Sequence, residues 1–218
     1  MSERILLIDS DIFVLLSAAG LLDDLVACLG FELSAARRLD ALPHQLQRGR
    51  SFRRYDEAAR CEALTRCHEI RSIENRPTSS EHWEKLISVA DIDEGEAFLF
   101  AKLAEASASL LTTGDQRSLI ALGKAEGLNS FRDQIRGRVV CLEFALLLLV
   151  QSVGAQSVGE ALQRLRGVNT KIDVLFGYKT EFVEEEIVRQ LNSYLKDLRE
   201  KLGDDYLSAP PLLNERVG

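Results

Sequence analysis

The sequence predicts an α/β fold, in which a mostly parallel central sheet lies between two layers of helices (a three-layer α/β/α arrangement). Short apolar runs of strand length alternate with helical segments, which is typical of parallel sheets. Strand patterns fade beyond residue 150, where amphipathic helical character takes over. We therefore expect an α/β domain over residues 1–150 and a helical C-terminal extension with a loose tail over residues 151–218.

The strands are predicted from apolar runs. The first run is fully apolar and ends at an aspartate, a pattern typical of a buried parallel strand. A later segment, residues 87–90, is either a short strand or the last turn of a helix that begins near residue 81. The predicted strands are Ile5–Ile8, Phe31–Leu33, Leu110–Thr112 and Arg138–Cys141.

Helices are predicted between these strands from apolar periodicity and from breakers such as Gly30 and the Asn75-Arg76-Pro77 segment. The predicted helices are Ile12–Ala19, Leu21–Leu29, Tyr55–Ile73, Asp93–Ala106, Asp115–Glu126 and Glu181–Leu202. The last of these has an apolar face and is capped by Gly203. That face needs a cover, which is the rest of the chain, a second copy in a homodimer, or another partner.

Composition limits the classes of function. The net charge of -7 argues against uniform coating of nucleic acid, although six arginines lie between Arg37 and Arg54 against one acid, Asp40. The four cysteines lack disulfide spacing, and the first residues do not resemble a signal peptide. The longest apolar stretch, Val139–Val150, is too short to span a bilayer. A cytoplasmic protein without a membrane partner is expected.

Three carboxylates are candidates for a shared site. Asp9 and Asp115 each follow a predicted strand, at the edge of a parallel sheet where ligands bind. Glu96 lies in the first turn of a helix, on the same face as Phe100 and Leu103, and therefore points inward. Because three such acids would repel one another, a hard cation such as Mg²⁺ or Mn²⁺ is the expected ligand.

Each acid also has a structural explanation of its own. Glu96 has capping-box spacing from Asp93, Asp115 is a good N-cap for the helix that follows it, and Asp9 is suited to a turn. These structural roles and the metal site remain alternatives for each residue taken singly. The joint placement of the three acids favours the metal site.

The segments around these acids resemble the three acidic motifs of PIN-domain proteins, in the same order. They are ILLIDSDIFVLL, DIDEGEAFLFAKLAE and LLTTGDQRSLIAL, within residues 4–145. The resemblance implies a parallel-sheet α/β/α fold, metal ligation by Asp9, Glu96 and Asp115, and metal-dependent hydrolysis of RNA. It also implies a protein partner such as an antitoxin, if the chain is the toxin of a toxin–antitoxin pair.

Further site residues are predicted around this trio. Many members of that family have another acid soon after the aspartate of the third motif, where this chain has Gln116, Arg117 and Ser118. Glu143, among apolar residues, is a candidate replacement, or else lies at the solvent edge of a helix start. Arginines near the trio are predicted to contact the substrate phosphate, and a threonine is predicted to orient a ligand or water. Alternatively, the arginines are solvated surface residues and the threonine only contributes a hydroxyl to a turn. These candidates are Arg117, Thr113, Arg50, Arg53 and Arg54.

Two other functions remain open. The missing acid and the long helical extension suit a PIN-like binding or interaction protein with reduced or no catalysis. The Asp9-Ser10-Asp11 segment also resembles the first motif of haloacid-dehalogenase-like phosphatases, except that Phe13 stands where a threonine is expected. A zinc site is not expected, because the spacing of Cys61, Cys67 and the adjacent histidine matches no usual zinc pattern.

Overall fold

In the part of the chain that the structure describes, the central sheet has five strands, and all of them are parallel. The computed structural model describes residues 4–48, 52–73 and 81–208. The strand order is β3-β2-β1-β4-β5. The strands are β1 (Leu6–Ile8), β2 (Ala36–Arg38), β3 (Arg71–Ser72), β4 (Leu110–Thr113) and β5 (Val139–Cys141). The α/β prediction is confirmed, and the described sheet is entirely parallel.

Twelve helices occur in the part of the chain that the structure describes. They are α1 (Ser10–Ala19), α2 (Leu22–Cys28), α3 (Leu42–Arg48), α4 (Glu57–Glu69), α5 (Glu81–Ile87), α6 (Glu94–Glu105), α7 (Gln116–Lys124), α8 (Asn129–Ile135), α9 (Leu142–Val153), α10 (Ala155–Gln163), α11 (Thr170–Phe176) and α12 (Glu184–Leu202). All six predicted helices are present with shifted ends. For residues 87–90 the sequence allows a short strand or the last turn of a helix. Helix α5 ends at Ile87, so this segment begins with the last residue of a helix.

The sheet is covered on both faces. Side chains in a strand alternate between the two faces, yet every residue of β1 is fully buried, and so is nearly all of β5. A strand buried on both sides is typical of a parallel sheet between helical layers. The arrangement is therefore compatible with the predicted three-layer fold.

The strand order reverses at β1. The chain runs outward from β1 through β2 to β3, and then returns to the other side of β1 with β4 and β5. Leu6 pairs with Ala36 of β2 on one side and with Leu110 of β4 on the other. In such sheets a crevice opens beyond the carboxyl ends of the two strands at the reversal, which here are β1 and β4.

The second strand differs from its prediction. Phe31–Leu33 is not a strand; β2 begins at Ala36 and includes two buried arginines. Arg38 donates to the carbonyl of Cys67, and Arg37 donates to the carbonyls of Ser34 and Ala36. Two consecutive arginines in a sequence predict an exposed segment. Here they are tolerated inside the sheet because their guanidinium groups hydrogen-bond to backbone oxygens.

The C-terminal third is joined to the sheet domain by several contacts. Helix α9 crosses residue 150, the predicted boundary, and α12 packs against α9 and α7. The amide of Ser208 donates to the carbonyl of Val139 at 2.8 Å, beside a bridge between Leu207 and the edge strand β5. The apolar face of α12 is thus covered by the chain itself, and comprises Ile187, Leu191, Leu195, Leu198 and Leu202.

The four cysteines, Cys28, Cys61, Cys67 and Cys141, are free thiols, as their spacing predicts. Across residues 4–48, 52–73 and 81–208, no helix combines the length and the apolar character needed to cross a bilayer.

Candidate functional site: an acidic cleft

A cleft of about 690 Å³ opens beyond the carboxyl ends of three neighbouring strands. Its walls include residues that directly follow β1, β2 and β4, together with the start of α6. This is the crevice expected where the strand order reverses. Seven of the residues that line it are acids, and Arg117 lies among them. The acids are Asp9, Asp11, Asp40, Asp93, Glu94, Glu96 and Asp115.

Asp9 is the most deeply buried of the three predicted ligands, with 8% of its surface exposed. One carboxylate oxygen accepts from the amide of Ser10 at 2.7 Å, and the other accepts from the hydroxyl of Thr113 at 3.1 Å. Burial, followed by repulsion from Asp11, raises the pKa of Asp9 to about 7. Thr113, a predicted ligand-orienting residue, thus holds Asp9 in place.

Glu96 closes a capping box at the start of α6. Its carboxylate accepts from the amide of Asp93 at 2.8 Å, and the Asp93 carboxylate accepts from the amide of Glu96 at 2.8 Å. Burial raises the pKa of Glu96 to about 8, with repulsion from Asp93, Asp115 and Asp9 adding to it. The last two contributions mean that Glu96 lies within electrostatic reach of both other predicted ligands.

Asp115 caps α7 and pairs with Arg117. One of its oxygens accepts from the amides of Arg117 at 2.8 Å and Ser118 at 3.3 Å, and the other accepts from the Arg117 guanidinium at 3.1 Å. Burial raises the pKa of this carboxyl, but these donors outweigh burial and hold its pKa below the usual 3.8. Asp115 is therefore ionised at neutral pH, whereas Asp9 and Glu96 are protonated in a large fraction of molecules.

The three acids share a cleft, but their oxygens do not converge on one point. Among residues 4–48, 52–73 and 81–208, no group of three or more histidine, cysteine, aspartate or glutamate side chains is arranged to hold a metal ion. The reason is that each carboxylate is turned toward a local partner, namely a capped amide, Thr113 or Arg117. The oxygen donors suit Mg²⁺ or Mn²⁺ chemically, and binding would require Glu96 and Asp115 to turn away from these partners.

Comparisons with protein-family models, with curated proteins and with solved structures find no match. No family is shown. The PIN-like prediction therefore depends on the three acidic segments and on the cleft that their acids line.

Glu143, the predicted fourth acid, does not line this cleft. It lies in the first turn of α9, almost fully buried, and forms an ion pair with Lys171 of α11. It also accepts from the side-chain amide of Gln116 at 2.8 Å. The alternative that Glu143 lies at the solvent edge of a helix start is wrong, since only 2% of Glu143 is exposed. A buried ion pair explains why this carboxylate stands among apolar residues.

The arginines between residues 37 and 54 do not form one basic surface. Arg37 and Arg38 are buried in β2, whereas Arg53 is exposed. Arg54 pairs with Asp11 at 3.2 Å and lies over the ring of Tyr55, which places it beside the cleft. Arg50 lies outside the described residues.

Some cleft residues were not predicted from the sequence. They include Asp40 and Gln45, and the aromatic residues Phe52, Trp83 and Phe98. Asp40 follows the end of β2, so placing that strand correctly would have identified it by the rule that identified Asp9 and Asp115. The aromatic residues lie in helices and loops far apart in the chain, and no local pattern links them.

Proposed function

We propose that this protein is a divalent-metal-dependent nuclease that hydrolyses RNA phosphodiester bonds. The observation that carries the proposal is the concentration of seven acids in one cleft at the reversal of strand order. Burial, with repulsion from neighbouring acids adding to it, raises the pKa of Asp9 to about 7 and that of Glu96 to about 8. Mg²⁺ or Mn²⁺ would offset this repulsion.

Asp9, Glu96 and Asp115 are the residues that would hold the ion. When bound, Mg²⁺ or Mn²⁺ supplies a water of lowered pKa and neutralises charge on the phosphate. Thr113 keeps the Asp9 carboxylate fixed through its 3.1 Å hydrogen bond. To hold the ion, Glu96 would have to release its hydrogen bond from the amide of Asp93, at the cost of one helix-capping interaction at an exposed helix start.

Two arginines at the cleft are suited to hold the substrate phosphate. Arg117 is paired with Asp115, and Arg54 is paired with Asp11. With a cation on the acids, both guanidinium groups would be available to the phosphate, and a guanidinium is suited to donate to it in a bidentate manner. The arginines would then exchange a carboxylate partner for a phosphate, which would let the strongly acidic cleft accept an anionic substrate.

The ion pair between Glu143 and Lys171 favours a second candidate function. With this carboxylate engaged outside the cleft, the site has the three predicted acids but lacks the predicted fourth one. The second candidate is a protein of the same fold that binds a metal or RNA without cutting it. Binding of Mn²⁺ without cleavage of RNA would favour this candidate over the nuclease.

The test compares variants of the predicted ligands with variants of neighbouring acids. Asp9→Asn and Asp115→Asn are expected to lose RNA cleavage by more than about 100-fold, since loss of an outer-shell partner alone costs 10–100-fold. Asp40→Asn and Glu94→Gln, which alter exposed acids of the same cleft, are the matched controls and should retain cleavage. Calorimetry measures Mn²⁺ binding on the same four variants.

Unchanged Mn²⁺-dependent cleavage of single-stranded RNA by both ligand variants would overturn the nuclease proposal. The phosphatase alternative has its own readout, which is hydrolysis of a generic phosphomonoester and loss of that activity in Asp11→Asn. Asp11 lines the cleft and has Arg54 as its partner, so its substitution leaves Asp9 and its hydrogen bonds in place.

A further inference from the structure

A tight turn beside the cleft displays two adjacent arginines. The amide of Tyr55 donates to the carbonyl of Phe52 at 3.1 Å, so Arg53 and Arg54 are the central residues of a four-residue turn. Phe52 and Tyr55 are each 3% exposed, and their rings pack together with centroids 6.2 Å apart. These buried aromatic residues anchor both ends of the turn, while the two arginines between them are exposed. A fixed segment of the chain therefore presents both guanidinium groups to solvent.

This turn adjoins the cleft directly. Phe52 lines the cleft, and Arg54 pairs at 3.2 Å with Asp11, another residue of the lining. Helix α3 contributes Gln45 to the same lining. Arg48, three residues further along α3, lies on the neighbouring turn of the same side of that helix. Helix α3 and the turn after it thus place basic side chains beside one wall of the acidic cleft.

The arginines at the cleft differ in whether they have a partner. Arg54 and Arg117 are each paired with an acid of the cleft. Arg48 and Arg53 are exposed, and within residues 4–48, 52–73 and 81–208 the side chain of neither makes an ion pair or a hydrogen bond. The unpaired charge of Arg53 also stands next to the like charge of Arg54, which repels it. An anionic ligand from outside the chain would relieve this repulsion.

We propose, on the basis of the proposed nuclease function, that Arg48 and Arg53 form a track for the phosphate backbone of RNA beyond the cleft. The phosphate to be cleaved lies among the acids, and the phosphates that follow it in the strand lie along α3 and the turn. Contacts between arginine and phosphate position a strand without reading its sequence. The track therefore favours a strand that extends past the cleft over a single nucleotide.

Electrostatics make such a track necessary. Seven acids line the cleft, so they repel a polyanion as a whole. A cation on the acids and the paired arginines would act only on the phosphate inside the cleft. Attraction for the rest of the strand has to come from positive charge outside the acidic floor, and Arg48 and Arg53 supply it there.

Salt-dependent binding tests the track without cleavage. The probe is a fluorescently labelled decamer of uridylate, whose anisotropy is followed in EDTA over a series of KCl concentrations. Each phosphate contact with a single strand contributes about 0.7 to the slope of log affinity against log salt concentration. Arg48→Ala and Arg53→Ala should each lower the slope by about 0.7, which is roughly a 5-fold loss of affinity at about 0.1 M KCl. The double variant should lose about 25-fold.

Two controls separate the track from general charge. Arg164→Ala removes the same charge from an exposed arginine that does not line the cleft and whose side chain also lacks a partner among the described residues. It should keep the slope and affinity of the wild type. A labelled decamer of glutamate represents an acidic protein segment, and it should bind the wild type much more weakly than the RNA does.

Failure of the wild type to bind the RNA at about 20 mM KCl, or unchanged slope and affinity in both track variants, would overturn the track. So would a loss in Arg164→Ala as large as theirs. Equally tight binding of the glutamate decamer would also overturn it, since the surface would then fit an acidic protein segment. These results are separate from the nuclease proposal, because the probe needs neither a metal ion nor cleavage. Binding through both arginines in a protein that fails to cut RNA would remove only the catalysis.

Discussion

Asp115 and Arg117 form an ion pair that would have to open before a metal ion could bind. The Arg117 side chain is 80% exposed, and water therefore screens much of its attraction to the carboxylate. In the pair of Asp11 and Arg54, a little under half of each side chain is exposed. Both pairs neutralise acids of the cleft while remaining easy to break. A divalent cation, with twice the charge of a guanidinium and direct coordination to oxygen, is suited to displace the arginine.

Protonation of the predicted ligands gives a pH dependence of stability. The pKa of Asp9 is raised from 3.8 to about 7, and that of Glu96 from 4.5 to about 8. Above pH 4 the unfolded chain loses these protons while the folded chain keeps them, so the free energy of unfolding falls as pH rises toward 8. A change of this size in Asp9 alone corresponds to roughly 4 kcal/mol.

The measurement is urea denaturation of the metal-free protein at a series of pH values from 4 to 9. In Asp9→Asn the fall in stability should be smaller, because one of the two groups no longer titrates. Added Mn²⁺ should stabilise the protein more at pH 8 than at pH 6, since the ion competes with protons for the same oxygens. Stability that rises from pH 5 to pH 8 in EDTA would contradict this expectation.

At the scale of elements, α7 links the cleft to the C-terminal part of the chain. Asp115 and Arg117 lie at its first turn, and α12 packs against the same helix. Gly123, near the other end of α7, makes the close approach possible. A Cβ added there would lie 2.4 Å from the carbonyl oxygen of Leu202, so backbone meets backbone at this point.

Gly123→Ala is therefore expected to destabilise the protein, by about 1–3 kcal/mol, because the end of α12 has to move away. The better helix propensity of alanine offsets up to about 1 kcal/mol of this cost. Urea denaturation measures the change. Lys124→Ala, at the exposed neighbouring position, is the control and should stay within about 0.5 kcal/mol of the wild type. A stabilised Gly123→Ala protein would show that the two helices do not approach in this way.

Elements with strong local signals were predicted well, and elements with unusual interiors were not. Strand β1 and its aspartate were found because four apolar residues precede Asp9, and α12 was found from its apolar periodicity. Strand β2 was misplaced because Arg37 and Arg38 look like surface residues until their carbonyl partners are known. The convergence of Trp83 on the acids depends on packing between α5 and α6, which no sequence pattern encodes.

At the scale of the whole molecule, the C-terminal third supports the helix that carries part of the site. The Tyr206 hydroxyl donates to the carbonyl of Leu119 in α7 at 2.8 Å, within the buried core. Asp204 pairs with Arg132, which in turn donates to the carbonyls at the end of α7. The sequence indicates a helical extension, but its role as a support of α7 follows only from these long-range contacts.

The ion pair of Glu143 and Lys171 is another long-range contact between the C-terminal third and the sheet domain. It predicts how substitutions in the C-terminal third change the stability of the whole molecule. Glu143 accepts from Gln116, the residue that follows Asp115, while Lys171 belongs to the C-terminal helix α11. Lys171→Met leaves a buried carboxylate without its cation. A cost of about 3 kcal/mol is expected, at the low end for broken buried pairs because 30% of the lysine side chain is exposed.

The double variant Glu143→Gln with Lys171→Met separates charge from packing. A neutral glutamine can still accept from Gln116, so the double variant should recover most of the stability lost in Lys171→Met. Lys179→Met, which breaks a pair with the more exposed Glu186, is the control and should cost less than about 1 kcal/mol. If Lys171→Met costs no more than this control, the pair does not join the extension to the site helix. If the double variant is as unstable as Lys171→Met, the lysine acts through packing and its charge is dispensable.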